Sequence, residues 1–581
     1  MTFPTRLAAI LGLGLGALLF LHRLPELPLP DVDERSFLDI PYRFATFGDL
    51  RYPVFIAEAF GADEVRPYPP INSFAFRSAA LRLAGFSAAR SRYFSAGLVL
   101  LVLFASALWV RSRFGADWAL TVVALTPAAL APVMILAART TRHEQETFFF
   151  GALSALLLAK GGLKGLNSRP RDLAVAGGLA TFSAGTHPFG TVYCVLAFLA
   201  LLAARPARAL LPWLGGALIG ASSTIWWLVI QGSNLFAAAT AVGATYRGRE
   251  DDLVTRLSRF SSVAWLKLAG LPDVLTARFA SVQHSAFDDH LGFPLEPGPL
   301  SLLLRLLFWG EGLFVAAFFL KHLRNRRVEN DGPAWLAFVG LGFLAFTFIY
   351  VPNTTYGLYG SFHIHLAFAA ACLVGGDGFT GSGRHALRSL GVVVLLTGLV
   401  GAGRLVDAPR AVTLDREFNA IADMARASGI RPEATVMTTF ESWIAAGARN
   451  TSLFELMMYG TGTARPDAIV YRRSYLEFFM SLALGSRGEP EQRARAMEER
   501  KALVAKVHAG LRLAGWLLID EERGKVVYFF RRGEPRGVSV SSIDPNRIIP
   551  LQTVAYGSDA ALGPRVDCDT QAVPLCVFHE R

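Results

Sequence analysis

Charge is scarce in this chain: Lys, Arg, Asp and Glu make up 18% of its 581 residues, against roughly 25% in an ordinary soluble domain. That deficit excludes a free-standing soluble enzyme and a disordered scaffold, both of which need more polar surface. Cysteine is scarcer still. Four residues cannot staple a chain of this length, so no disulfide framework holds the fold. No internal repeat is evident, which counts against the inverted-repeat transporters. The charge that is present leans basic, 57 Lys and Arg against 46 Asp and Glu for a net +11. Placement excludes a nucleic-acid partner, because the arginines flank apolar runs where membrane orientation explains them better than phosphate binding.

What the chain has instead is hydrophobic length. Hydrophobic residues make up 52% of it and the mean hydropathy is +0.38. Crossing ~30 Å of hydrocarbon takes about 20 apolar residues, or slightly fewer with flanking anchors. Eleven runs qualify, near 5–21, 94–110, 118–138, 147–163, 173–187, 189–204, 210–230, 300–320, 334–351, 362–376 and 388–406. Between the fifth and sixth only Thr186-His187-Pro188 intervenes, a tight helical hairpin. Arg111 and Arg113, then Lys160, Lys164, Arg169 and Arg171, then Arg205 and Arg208, then Lys321, Arg324, Arg326 and Arg327, and finally Arg384 and Arg388 all fall in short loops on one side, with Arg6. Positive loops stay in the cytoplasm. The expected protein is therefore a multi-pass protein of the inner (plasma) membrane with a cytoplasmic N-terminus. The first run lacks small residues at the −3 and −1 positions of Leu19-Phe20-Leu21-His22 and reads as an uncleaved anchor, not a signal peptide.

Two long outer loops, 22–93 and 231–299, and a polar tail, 411–581, remain. In the second loop Leu253, Leu257, Phe260, Ala264 and Leu268 recur at helical spacing opposite Arg256, Arg259 and Lys267, the pattern of a helix lying in the bilayer interface. The tail reads as an extracytoplasmic α/β domain. Helices are expected near 414–428 and 489–513, β-runs at Ala434–Thr439 and Ala468–Tyr471, and a hairpin of Trp516–Ile519 with Lys525–Phe530. The fold class is thus an α-helical polytopic membrane protein of about eleven transmembrane helices (1–410), followed by that domain (411–581).

Chemistry-bearing residues gather in the outer loops. Asp31, Asp33 and Glu34 follow the first span, three carboxylates in four residues, suited to a general base or a metal-linked acid at the membrane face. Farther on come Arg66 and Tyr68-Pro69-Pro70. After the third span comes Arg139-Thr140-Thr141-Arg142-His143-Glu144-Gln145-Glu146. This order of an acidic pair, a Tyr-Pro-Pro element, an Arg-x-Glu and a Thr-His-Pro turn resembles the polytopic GT-C glycosyltransferases, in the branch of protein O-mannosyltransferases and lipid A aminoarabinose transferases. The resemblance is best over residues 1–205.

It implies a sugar moved from a polyprenyl phosphate to a lipid, glycan or protein hydroxyl outside the cytoplasm. Asp33 takes the place of the catalytic base, Glu34 that of its acidic partner and Glu144 that of the second essential carboxylate. Arg142 and His187 match donor-contacting positions. Tyr68 stands where aminoarabinose transferases carry a phosphate-contacting Lys, leaving Arg66 as a substitute. Tyr356-Gly357-Leu358-Tyr359 fits the family's Tyr-rich segment loosely. Some GT-C enzymes use a divalent metal, for which Asp33 and Glu144 are the candidate ligands; no other cofactor is implied.

Several residues carry two readings. His187 fits a structural turn as well as a phosphate contact. His363 and His365, two apart on a helix, point to opposite sides, so one of them can face a cavity. His284, Asp288, Asp289 and His290 have metal-ligand types, yet a hydrated loop explains them too. Cys194 and Cys372 lie in spans as packing residues. Cys568 and Cys576, with seven residues between them in the exported tail, are a disulfide candidate. Gly12, Gly14 and Gly16 suggest close helix packing. The competing functions are a transporter or lipid flippase and a non-catalytic scaffold. Spans nearly free of mid-helix charge favour chemistry at one face over conduction.

Overall fold

A computed structural model of the chain describes residues 3–26, 71–161, 169–204, 207–231, 299–324, 332–349 and 355–374, short stretches within 34–42, 389–406 and 413–419, and seven β-strands beyond them. The chain divides into two units. The first takes in Met1–Glu34, Pro69–Leu235 and Val242–Ala411, and the second includes Val412–Arg581.

The first unit is helical. Its described helices are α1 (Phe3–Leu21), α2 (Ile71–Ala84), α3 (Ala88–Phe114), α4 (Trp118–Ala129), α5 (Pro132–Arg139), α6 (Glu144–Gly161), α7 (Pro170–Ala184), α8 (Thr191–Ala204), α9 (Ala207–Gln231), α10 (Pro299–Arg324), α11 (Gly332–Ile349) and α12 (Thr355–Leu373). Isolated helical positions lie within 389–406. Caps set several of these boundaries. The Ser87 side chain accepts from the Arg90 N–H to start α3, and Gly115 ends that helix in the left-handed region at φ 59°, where a residue without Cβ is unstrained. The Asp117 carboxylate accepts from Leu120 N–H at the start of α4, satisfying a donor that helix geometry leaves orphaned.

Three expectations need correction. Segment 22–93, expected as loop, contains α2 and the opening turns of α3, which runs six residues ahead of the expected span. The expected third span is broken at Leu130-Ala131 into α4 and α5, because Pro132 has no N–H to carry the helical ladder across that point. The fifth span ends at Ala184, so His187 lies in the turn beyond it, before a short 3-10 turn at Pro188–Gly190.

Apolar side chains face outward while charge is inside. Ile10, Leu218, Ile219 and Val229 are between 67% and 76% exposed, whereas Arg77, Arg92 and Arg139 are at most 2% exposed. Water would penalise both halves of that arrangement; lipid penalises neither. Among the described residues, Ala88–Phe114 and Ala209–Trp226 are long and apolar enough to cross a bilayer, and five shorter apolar helices accompany them. Helices α7 and α9 meet at glycines. A Cβ on Gly177 would strike the Trp213 carbonyl, one on Gly216 the Ala174 carbonyl, and one on Gly220 the Gly178 carbonyl. Small residues four apart let backbones approach this closely, as in membrane helix pairs generally. Trp335 Nε1–H donates to Ala155 O at 2.8 Å and ties α11 to α6.

The second unit holds a five-stranded mixed sheet of order β2-β1-β3-β5-β4. Its strands are β1 (Thr435–Thr438), β2 (Arg449–Ser452), β3 (Ala468–Arg472), β4 (Trp516–Leu518) and β5 (Val527–Arg532). Strand β1 pairs in parallel with β2 and β3, and β5 pairs antiparallel with β3 and β4. Strands β6 (Arg565–Cys568) and β7 (Cys576–His579) form a separate antiparallel ribbon. Strands β2, β6 and β7 carry no alternation that the sequence reading picked out. The helices expected near 414–428 and 489–513, and the interface helix of 253–268, lie outside the described residues or are described only at isolated positions.

Candidate functional site

The turn joining α5 to α6 gathers the candidate chemistry. Here four guanidinium groups meet three carboxylates: Arg139, Arg142, Glu144 and Glu146 belong to the turn and its flanks, while Glu34, Arg77 and Arg92 come from segments far away in the chain. Arg92 grips Glu34 through two parallel bonds, Nε to Oε1 and Nη2 to Oε2, both 2.7 Å, and its Nη1 reaches Leu24 O at 2.9 Å. The backbone N–H of Thr141 donates to Glu34 Oε1 at 2.8 Å. Glu34 is fully buried, so both of its oxygens are committed. A bidentate, charge-assisted fork of this kind fixes geometry as well as charge.

A second fork lies beside the first. Arg77 Nε donates to Glu146 Oε1 at 2.7 Å, with Nη2 at 2.6 Å from the same oxygen. Its Nη1 reaches Ser91 Oγ at 2.8 Å and Ser95 Oγ at 3.1 Å, while Nη2 donates to Arg142 O at 3.2 Å. Arg139 closes the corner by donating to Leu19 O at 2.7 Å and His22 O at 2.9 Å, the carbonyls that α1 leaves unsatisfied at its end.

Arg142 is the most accessible of the four guanidinium groups, with a side chain 14% exposed, and its Nη2 lies 3.2 Å from Glu144 Oε1. Its own N–H donates to Gln145 Oε1 at 2.8 Å, and Gln145 Nε2 donates to Thr140 Oγ1 at 3.1 Å, which holds the turn's shape. The other Glu144 oxygen, Oε2, is buried with no hydrogen-bond partner among the described residues. A buried carboxylate oxygen left in that state calls for a donor from a ligand or solvent.

The Thr186-His187-Pro188 turn docks on this corner. Thr186 Oγ1 meets Thr147 Oγ1 at 2.6 Å, and Ser183 Oγ donates to Thr147 O at 2.8 Å. The His187 ring stacks on His143 at 4.7 Å. Burial, with His143 beside it, lowers the His187 pKa to about 3. Its Nδ1 accepts from the Phe189 N–H at 3.2 Å, so the neutral ring carries its proton on Nε2. His187 is therefore a hydrogen-bond donor and not a cation. Rings then run inward from the turn: His187 to Phe189 at 5.0 Å, Phe189 stacked on Tyr359 at 5.4 Å, and Tyr359 to Phe148 at 5.4 Å. At the inner end the Tyr193 hydroxyl lies 2.9 Å from His363 Nε2.

Of the residues expected from sequence, Glu34, Arg142, Glu144 and His187 come together at this corner, with Tyr359 and His363 behind them. Asp31, Asp33, Arg66 and Tyr68, the side chain of Tyr356, and His284 to His290 lie outside the described residues. Among the described residues no group of three or more His, Cys, Asp or Glu could hold a metal ion. Sequence reading missed the roles of Arg77, Arg92, Glu146, His143 and Thr141. It also missed Glu311, which sits within α10 and pairs with His365 Nδ1 at 2.8 Å; the expectation of spans nearly free of mid-helix charge is corrected there. His363 and His365 do face different neighbours, Tyr193 and Glu311.

No protein-family model matches the chain, and no curated protein matches it. Solved structures with a related trace include an oligosaccharyltransferase of Archaeoglobus fulgidus in the apo form, at 10% identity and TM-score 0.48, covering 91% of this chain and 74% of that one. Another is ArnT of Cupriavidus metallidurans bound to undecaprenyl phosphate, at 12% identity and TM-score 0.44, covering 90% of this chain and 97% of that one. Likenesses at this level say nothing of what the present chain binds.

Proposed function

We propose that this protein is a membrane glycosyltransferase that moves a sugar from a polyprenyl-phosphate donor to a hydroxyl of a lipid, glycan or protein on the extracytoplasmic face. The observation that carries the reading is the Thr141 N–H to Glu34 bond of 2.8 Å. It seats Glu34 on the Arg-x-Glu turn, a juxtaposition of acid and guanidinium that such chemistry needs. Outward apolar helices suit a donor with a long hydrocarbon tail, and the excess of guanidinium over carboxylate at the corner suits its phosphate.

In the proposed reaction the acceptor oxygen attacks the anomeric carbon as the bond from that carbon to the phosphate oxygen breaks, with inversion. The acceptor proton passes to the Asp33 carboxylate. The leaving polyprenyl phosphate gains charge, and Arg142, with Arg66, stabilises it more in the transition state than in the ground state. His187 Nε2–H donates a neutral hydrogen bond. Glu144 orients Arg142 and offers its unfilled oxygen to a substrate hydroxyl. Glu34 positions Asp33 through Arg92 and Thr141 and does not itself take the proton. Residues 411–581 are proposed as the extracytoplasmic α/β domain that recognises the acceptor.

The test is transfer of label from polyprenyl-phosphate sugars by the purified protein in vesicles. Asp33→Asn should lower turnover by ~10²–10⁴-fold, the range of a lost general base, with unchanged extraction and thermal stability. Full activity of that folded variant would overturn the assignment. The buried Glu311–His365 pair favours a second reading, a transporter or lipid flippase. That reading predicts labelled lipid crossing the bilayer without chemical change, and crossing that Asp33→Asn leaves intact but Glu311→Gln abolishes.

A further inference from the structure

The chain has four cysteines. Two of them, Cys194 and Cys372, are free thiols in helices of the first unit. The other two are the last residue of β6 and the first of β7, and the antiparallel register sets them directly opposite one another: Arg565 faces His579, Val566 faces Phe578, Asp567 faces Val577 and Cys568 faces Cys576. Directly opposed residues of an antiparallel pair have Cα atoms about 4.5–5.5 Å apart, within the roughly 4.4–6.8 Å that a disulfide spans. The pair stands at the neck of the connection 569–575, at the last rung of the ladder before the strands part. A two-stranded ribbon is marginal in water, and a covalent bridge at its neck would hold the two strands together while restricting the unfolded chain.

We infer that Cys568 and Cys576 form an intramolecular disulfide that closes the β6–β7 ribbon. The inference rests on the reading that residues 411–581 face the oxidising side of the membrane, since cytoplasmic thiols stay reduced. The oxidant is a disulfide-bonded thiol oxidoreductase of that compartment. One cysteine thiolate attacks its disulfide, the second thiolate attacks the mixed disulfide, and the oxidoreductase leaves as a dithiol carrying the two electrons and two protons. The product is a clamp on the ribbon and also a marker of sidedness.

Both cysteines lie in one tryptic peptide, Val566–Arg581, because no Lys or Arg separates them. Cells carrying the full-length protein are quenched with a thiol-alkylating reagent, and the peptide is weighed before and after reduction. The expected peptide is unalkylated and two hydrogens lighter than the dithiol, and takes two alkyl groups only after reduction. Cys568→Ser should leave Cys576 alkylated at once, whereas a Cys194→Ser, Cys372→Ser double variant should not change the peptide. Alkylation of both thiols without reduction overturns the disulfide. A membrane-impermeant maleimide applied to intact cells that have not been quenched then separates the causes. Labelling of the tail thiols means sidedness holds and the pairing fails; protection until the membrane is opened means the sidedness reading fails with it.

Discussion

The polar corner around Thr141 and the glycine seam between α7 and α9 are both buried, and they are held together by opposite means. The seam is shape: carbonyls sit where a Cβ would have to go, at Gly177, Gly216 and Gly220. The corner is charge: two of its three carboxylates are matched to guanidinium groups tens of residues away, 58 for Glu34 and Arg92 and 69 for Arg77 and Glu146, while Glu144 meets Arg142 within the turn itself. Shape at a close helix crossing tolerates deletion of a contact better than addition of volume. Charge tolerates neither partner's loss, because the one left behind stays buried.

That contrast is sharpest for Arg92→Ala. Leaving Glu34 buried without its fork should cost ~3–5 kcal/mol, the range for breaking a buried pair from one side, read as denaturant unfolding in micelles. Arg92→Ala with Glu34→Ala should recover much of that loss; if it recovers none, the corner is held by shape after all. Next comes the seam. Gly216→Ala should cost about 1–3 kcal/mol through overpacking against Ala174, while Gly14→Ala, where no atom lies within 4 Å of the new Cβ, should change stability by no more than about 0.5 kcal/mol. Equal effects at the two glycines would remove the distinction. Tyr193→Phe deletes one buried hydrogen bond to His363 and should cost about 1 kcal/mol, visible as a lowered thermal midpoint.

The smallest effect is on pH dependence. The folded-state pKa of His187, about 3, lies below its unfolded value near 6.5. The unfolded chain therefore binds the extra proton between those values, and stability should fall as pH drops below about 6.5. His187→Gln should flatten the thermal midpoint between pH 7 and pH 5.5 relative to the parent. An identical slope in the two proteins would show that His187 binds its proton equally in the folded and unfolded chain, and the lowered value would be wrong.

The seam and the corner also differ in how far they could be read in advance. Apolar length announces helices such as α3 and α9, and Thr186-His187-Pro188 announces its turn, because these depend on neighbours in sequence. Pro132 carried the signal for the break between α4 and α5, but the apolar run continued through it and masked the stop. The corner's residues were visible as types: Glu34, Arg142 and Glu144 stood out by position after a span. Their partners did not, since nothing local to Arg77 or Arg92 tells which carboxylate each will meet. Glu311 was lost in the hydrophobic run around it for the same reason, its partner His365 being two helices away. In the second unit, β1, β3, β4 and β5 show β-branched or aromatic runs, while β2, with sequence Arg449-Asn450-Thr451-Ser452, has no apolar face to betray it.

The bond between Glu34 and Thr141 spans 107 residues, which has a consequence for biogenesis. Synthesis delivers the carboxylate long before its backbone donor exists, and Arg92 arrives in between. The corner is thus among the last features of the first half to set, after its helices have formed. A lesion at Thr141 would then produce chains with every helix formed and the joint between them unmade, a defect that helix content would not register and quality-control proteases would find.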